Sequence, residues 1–350
     1  MNILLNNIDI NFISFKMSRP TLKAIAKRAG VSVATVSRAL SGRGRVEEAT
    51  RERILRIAEE LGYAPDMAAR SLVLRRTENI GFLIHALQSL SPHTFYGEIL
   101  TAVERELRRH RYHLHFATVE DEALPALIKE NRVDGLLLVG CDLPASLIQT
   151  LKERRFPLVL VDNHMPGVDS VFTDNIGGAF QATTHLIRLG HRRIAFITET
   201  MDNLSFRERF EGYRQALEAH GISFDPALVA EGERGLEGGF LATRTLLQRA
   251  RPTALIAAND PTAASAIRAI RAHGLRIPED IAVVGFDDDP LAVHTDPPLT
   301  TMRVFRSKMA VLAVARLLDL MKNPEQPAIH VRIETQLVVR ESCGGSLTPS

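Results

Sequence analysis

TLKAIAKRAGVSVATVSRAL, residues 21–40, spaces small, apolar and basic side chains as two short helices crossing at a tight turn. Leu22, Ile25, Ala26 and Ala29 fall at i, i+3, i+4 and i+7, one apolar stripe on a helix that Thr21 can cap. Gly30 turns the chain, Ser32 can cap the second helix, and Val36 and Ala39 form its inner face. Ala26, with no long side chain, lets the two helices approach closely. Val33, Ala34, Thr35, Ser37 and Arg38 are left facing outward. The pattern predicts a helix-turn-helix and makes double-stranded DNA the first partner to consider. The same apolar spacing also suits an ordinary helical hairpin, and charge separates the two readings. Residues 18–77 hold thirteen Lys or Arg against six Asp or Glu, whereas residues 78–350 carry an excess of five negative charges. A basic head on a mildly acidic body concentrates attraction for phosphate at one end.

At 350 residues and 45% hydrophobic, the chain can bury substantial cores in two or three domains. No apolar run approaches the roughly 20 residues needed to span a bilayer. Cys141 and Cys343 stand far apart, so free thiols in a reducing compartment are expected rather than a disulfide, and the cytoplasm follows as the expected location. Residues 1–16, MNILLNNIDINFISFK, lack a basic n-region and a small-residue cleavage site. They are expected to be an extension, disordered or absent in the cell, upstream of a natural start at Met17.

A third helix follows residues 41–46, with Ile54, Ile57, Ala58 and Leu61 inward and Gly62 closing it. Residues 66–72 offer one more short helix, too brief to be stable alone, so a hinge that folds against something is expected. From Ile80 onward aliphatic runs alternate with helical stretches: IGFLI at 80, HLHFA at 113, GLLLV at 135, LVLVD at 158, RIAFIT at 193, ALIAA at 254 and IAVVGF at 281. This beat predicts α/β architecture, two doubly wound lobes of parallel sheet covered on both faces. A strand-like segment at Thr173 is expected to switch lobes near Asp174 and Asn175 into a helix starting at Gly177. The tail, with a helix over 306–321 and a strand over 330–339, is expected to cross between the lobes.

Taken in order, the motifs identify a family. AGVSVATVSRAL, Val46 with Thr50 and Arg51, Gly62-Tyr63-Ala64-Pro65, Ala69-Arg70-Ser71-Leu72, Val133-Asp134-Gly135, Leu189-Gly190-His191, Arg209 with Gly212-Tyr213, Asn259-Asp260, Gly285-Phe286-Asp287 and Pro298-Leu299-Thr300-Thr301 make the chain resemble the LacI/GalR bacterial transcription regulators from Thr21 to about Arg340. The resemblance implies a helix-turn-helix headpiece at 18–64, a hinge helix and linker at 65–77, and a periplasmic-binding-protein-like core at 78–341, followed by a tail at 342–350. Within the core, one lobe would comprise about 78–174 and 304–326, the other about 175–303 and 327–341.

It also implies a homodimer, with a tetramer left open, whose paired recognition helices enter adjacent major grooves of a pseudopalindromic operator. Val33, Ala34 and Arg38 would read bases; an arginine suits bidentate contact to guanine, and a valine can pack on a thymine methyl. Thr21, Ser32, Thr35 and Ser37 would hold phosphates, although Ser32 and Thr35 could equally serve as caps alone. Leu72 would wedge into the minor groove from a helix kept slim by Ala68 and Ala69, with Arg70 beside it. Two departures stand out: Val73, where many members place a basic residue, and Glu47, where relatives usually carry a serine cap.

A small-molecule effector would lie between the lobes at the C-terminal ends of the strands. By motif position its site is expected at Arg209, Asp287, Asn259, Asp260, Asn203 and Ser205, with Asp174 opposite and Phe95 and Tyr96 as a flat wall. Arginine and carboxylates match hydroxyl-rich ligands. Asp260 before Pro261, and Asp174 before Asn175, also read as simple helix caps, and Arg234 is a further candidate near the cleft. Sugars or sugar derivatives lead, with nucleobases or nucleosides the alternative. No Walker loop, GxSxG, HExxH or complete dinucleotide fingerprint is present, so neither an enzyme nor a cofactor is expected. His113 and His115, without Cys partners, read as a solvent-facing pair rather than metal ligands. A transport binding protein would share the lobes but would not need the basic head. Repression under effector control is the expected function.

Overall fold

The hydroxyl of Thr21 accepts the Ala24 amide at 3.3 Å and starts α1 (Leu22–Ala29) in the computed structural model, which describes residues 20–41, 45–63, 76–233 and 235–345. Gly30, at φ +66°, ends α1 in the left-handed region that favours glycine. Ser32 accepts the Thr35 amide at 3.1 Å and caps α2 (Val33–Ser41). α3 (Glu48–Glu60) closes on a Schellman turn: Gly62, at φ +60°, and Tyr63 donate their amides to Glu59 and Ala58. Ile25, Ala26, Ala29, Val36, Ala39, Ile54, Ile57 and Ala58 form one buried cluster between the three helices. Ile25, Val36 and Ile54 are completely buried, each stabilising by about 1.5–3 kcal/mol through burial alone. Glu47 precedes α3 without a side-chain cap.

The chain divides into the units Met1–Arg75 and Arg76–Ser350. In the second, β1 (Asn79–His85), α4 (Phe95–Arg109), β2 (His113–Val119), α5 (Ala126–Lys129), β3 (Gly135–Val139), α6 (Ala145–Glu153), β4 (Leu158–Val161) and β5 (Ser170–Thr173) build the first lobe. The second lobe runs α7 (Asn175–Arg188), β6 (Ile194–Thr198), α8 (Leu204–Ala219), β7 (Val229–Glu231), α9 (Leu236–Arg249), β8 (Ala254–Ala257), α10 (Asp260–Ala272), β9 (Ala282–Asp287) and β10 (Thr300–Arg303). The chain then returns through α11 (Arg306–Lys322) and β11 (His330–Ile333) to the first lobe and ends in the second with β12 (Gln336–Val338).

Both sheets have six strands, in the orders β11-β5-β4-β3-β1-β2 and β12-β10-β9-β8-β6-β7, and every pair is parallel except β10 with β12. Strand alternation covers both faces. Ile80, Phe82, Ile84, Leu137 and Val139 face Ile99, Val103 and Leu107 of α4 and Met309, Ala313 and Leu317 of α11, while Leu83, Leu136 and Leu138 face Leu147, Ile148 and Leu151 of α6.

Three boundaries differ from expectation. α7 starts at Asn175, not Gly177, because the Asp174 carboxylate accepts the Gly177 amide at 3.2 Å and caps the helix two residues earlier. The single strand expected over 330–339 is two strands in different sheets. The return to the second lobe, expected near 327, follows Ile333, because His330–Ile333 pairs with Ser170–Thr173 of the first lobe. Cys141 and Cys343 are both free. Among the described residues no helix is long and apolar enough to cross a membrane.

Candidate functional site

On α2 the burial of Val36 and Ala39 turns Val33, Ala34, Ser37 and Arg38 outward, all four exposed. Arg38 Nε donates to the carbonyl of Ala34 at 3.3 Å, laying the guanidinium along the helix surface. Thr21 and Ser32 are both engaged as caps, and the hydroxyls of Ser32 and Thr35 lie 2.9 Å apart. The expected hinge residues Ala68, Ala69, Arg70 and Leu72 lie outside the described residues, as do Val73, Arg234 and residues 1–16.

Between the lobes of the second unit lies a cavity of about 520 Å³. Its anchor is Arg209 on α8, 3% exposed. Nε donates to Asn175 Oδ1 at 2.9 Å and Nη1 to the Ala258 carbonyl at 2.5 Å, while Nη2 pairs with Asp287 Oδ1 at 3.0 Å. The guanidinium also lies 3.8 Å from the centroid of the Phe286 ring. Asn175 is itself held by Glu208, and Glu208 reaches across the lobes to His164 at 2.7 Å. The arginine is thus oriented before any ligand arrives.

Asp287 closes β9, and Asp162 directly follows β4, so both sit at carboxyl ends of parallel strands, where doubly wound sheets place ligands. Both have positive φ, +116° and +56°, conformations that a non-glycine side chain adopts at a cost. Burial pushes the Asp287 carboxyl up to about 7 against the pull of Arg209, and pushes Asp162 up to about 6. Tyr96 donates its hydroxyl to Asp162 Oδ2 at 3.0 Å, while the buried Oδ1 has no hydrogen-bond partner among the described residues. Burial also holds the Tyr96 phenol well above its usual range.

Of the expected effector residues, Phe95, Tyr96, Asn203, Ser205, Arg209, Asn259 and Asp287 line this cavity. Asn203 and Asn259 also cap α8 and α10, accepting the amides of Phe206 and Thr262. Asp174 and Asp260 do not line it. Asp174 caps α7. Asp260 is completely buried, accepting the Thr301 hydroxyl at 2.6 Å and the Asp289 amide at 2.7 Å, so one oxygen holds β10 and the other the loop after β9. The cap before Pro261 is Asn259, not Asp260.

Sequence reasoning missed Asp162, Glu199, Phe206 and Asp289, all of which line the cavity. For Asp162 a signal existed, a carboxylate ending the apolar run LVLVD. Among the described residues no three His, Cys, Asp or Glu side chains gather as a metal site.

A family model described as bacterial regulatory proteins, lacI family, matches residues 21–66, and one described as a periplasmic binding protein-like domain matches residues 183–343. The HTH-type transcriptional regulator CelR of Thermobifida fusca is 39% identical over 334 residues, covering 93% of this chain and 98% of CelR. A solved CelR–cellobiose complex superposes with a TM-score of 0.71 at 37% identity, covering 93% of this chain and 100% of that one. The lac repressor dimer bound to operator and the anti-inducer ONPF superposes with a TM-score of 0.84 at 28% identity, covering 93% and 99%.

Proposed function

The chain belongs to the LacI family of bacterial regulatory proteins and is a DNA-binding transcriptional repressor, and from that premise we propose that a sugar or sugar derivative bound between its lobes sets its affinity for operator. Two copies would read a pseudopalindrome. In each, Val33, Ala34 and Arg38 contact base edges, Thr21, Ser32, Thr35 and Ser37 hold backbone phosphates, and Ala68, Ala69, Arg70 and Leu72 enter the minor groove. The exposed face of α2 supports this assignment.

The observation that carries the effector reading is the Arg209 clamp: a buried, pre-oriented guanidinium paired with Asp287, in a cavity also lined by Asp162, Asn203, Asn259 and the rings of Phe95 and Phe206. Carboxylates and amides match the vicinal hydroxyls of a sugar, and aromatic faces match its C–H surface. The volume accommodates a ligand of disaccharide size. The solved CelR complex, whose ligand is cellobiose, points the same way.

Thermal-shift screening of mono- and disaccharides, sugar phosphates and nucleosides, followed by calorimetry, identifies the ligand. Arg209→Ala is expected to weaken that ligand about 10–100-fold, as loss of a hydrogen bond to a charged group implies, while operator binding without ligand stays unchanged. An unaltered ligand affinity removes Arg209 from the site. Stabilisation by nucleosides and by no sugar replaces the sugar reading with the nucleobase one.

A further inference from the structure

The cleft carries its charge unevenly. Asp162, Glu199, Asp287 and Asp289 line it against one described Lys or Arg side chain, Arg209. That guanidinium is already engaged by Asn175, the Ala258 carbonyl and Asp287. A second arginine lies just behind the wall. Arg306, 7% exposed, donates through Nε to Glu98 at 2.9 Å, through Nη1 to Asp289 and through Nη2 to the Asp288 carbonyl at 3.0 Å, and its guanidinium lies 5.5 Å from the centroid of the Phe95 ring. Asp289 and Phe95 line the cavity whereas Arg306 does not. Asp289 therefore presents a carboxylate to the ligand space while occupying the cation that could otherwise serve it. The 95%-buried Asp162, its Oδ1 without a hydrogen-bond partner among the described residues, adds an acceptor to the cavity wall.

We propose that the cleft selects an uncharged polyhydroxyl ligand and rejects its phosphorylated or carboxylated counterparts, and that Asp289, by engaging Arg306, sets this selection. The inference deepens the effector reading of the cleft and rests on it. A ligand anion would give up its hydration for a cavity rich in like charge, which costs affinity steeply. Hydroxyl groups instead donate to carboxylate oxygens in short charge-assisted bonds.

Asp289→Asn keeps the side-chain shape and the Asp289 amide bond to Asp260, and it leaves Arg306 without a carboxylate on its cleft side. The test uses the full chain at constant ionic strength with matched probes, glucose against glucose 6-phosphate and glucuronate, cellobiose against cellobionate, and adenosine against its monophosphate, plus inorganic phosphate alone. Wherever a neutral probe binds, its anionic partner should bind the natural protein at least about tenfold more weakly. Asp289→Asn should close that gap about tenfold and gain a saturable thermal response to inorganic phosphate absent from the natural protein. Phosphate held by the headpiece is common to both proteins and cancels.

Glu98→Gln, which changes the partner of Arg306 away from the cavity, should leave the phosphate response as in the natural protein; an equal gain there overturns the assignment to Asp289. Should Asp289→Asn fail to fold, Arg306→Gln should widen the neutral-to-anionic gap, and a narrowed or unchanged gap overturns the proposal. Equal binding of both members of a pair by the natural protein overturns it outright. Binding confined to the adenosine pair sinks the sugar reading while that pair decides charge selection. If no organic probe binds, the phosphate response of Asp289→Asn decides alone.

Discussion

Asp162 is a carboxyl that folding moves out of water: it accepts the Tyr96 hydroxyl, and burial, outweighing the pull of Arg209, raises it from 3.8 to about 6. Between those two values the folded chain holds more protons than the unfolded one, so stability falls as pH rises through the window and levels off above about 6. Keeping this carboxylate ionised inside the fold at neutral pH costs about 3 kcal/mol. Asp162→Asn should remove that part of the slope, so that denaturant midpoints of the natural chain and variant converge near pH 4 and diverge in the variant's favour by pH 7; parallel midpoint curves would show that Asp162 ionises freely. Arg209, Asn259 and Asp287 were legible because each sits in a motif that carries the family resemblance, Arg209 with Gly212-Tyr213, Asn259-Asp260 and Gly285-Phe286-Asp287. Asp162 ends the run LVLVD but stands in none of those motifs, so it entered only as part of a strand. Asp174 and Asp260 misled because a capping carboxylate and a ligand-binding one share the same local pattern, and only long-range partners, Thr301 and the Asp289 amide for Asp260, separate them.

Elements were legible in proportion to how much of their burial was local. The seven runs all formed strands; six are apolar because a strand covered on both faces must be so throughout, whereas β2, HLHFA at the sheet edge, is only partly buried. β7, with three residues, and β10, TTMR, carry no such run and owe their pairing to neighbours. HVRIETQLVV reads as one strand-like stretch, yet its first half joins β5 and its second half β10, with only the polar Glu334-Thr335-Gln336 at the change of sheet. Helix contacts are similarly non-local. Gly212 on α8 lies so close to α7 that a Cβ there would sit 2.1 Å from the carbonyl oxygen of Ile176. The obstacle is backbone, so a side chain cannot yield by changing rotamer. Gly212→Ala should therefore separate α7 from α8 and cost about 1–3 kcal/mol or more, seen as a fall of several degrees in the Tm of the full chain; an unchanged Tm would mean that the two helices slide apart freely.

Across the whole molecule, three connections join the lobes, and the Asp287-Asp288-Asp289 turn is tied to both sides of one of them, the β10–α11 crossing, and to the segment after β12. Asp287 holds Arg209 in the cleft, Asp288 holds Arg303 at the end of β10 and Arg340 beyond β12, and Asp289 holds Arg306 at the start of α11. A ligand that draws on Asp287 therefore acts on the turn that anchors the β10–α11 connection, a physical route from occupancy to the relative setting of the lobes. The charge division, an excess of seven positive charges over residues 18–77 and five negative over the remainder, keeps attraction for phosphate on the headpiece and away from this acidic cleft. If occupancy and operator binding are linked through the lobes, the linkage must be reciprocal. The factor by which saturating effector changes operator affinity should equal the factor by which saturating operator changes effector affinity, and its size should fall at roughly 5–150-fold. Operator Kd by fluorescence anisotropy and effector Kd by calorimetry, each with and without the other ligand at one salt concentration, give both factors. A factor of one in both directions would leave a DNA-binding protein and a ligand-binding protein sharing a chain without control of one by the other.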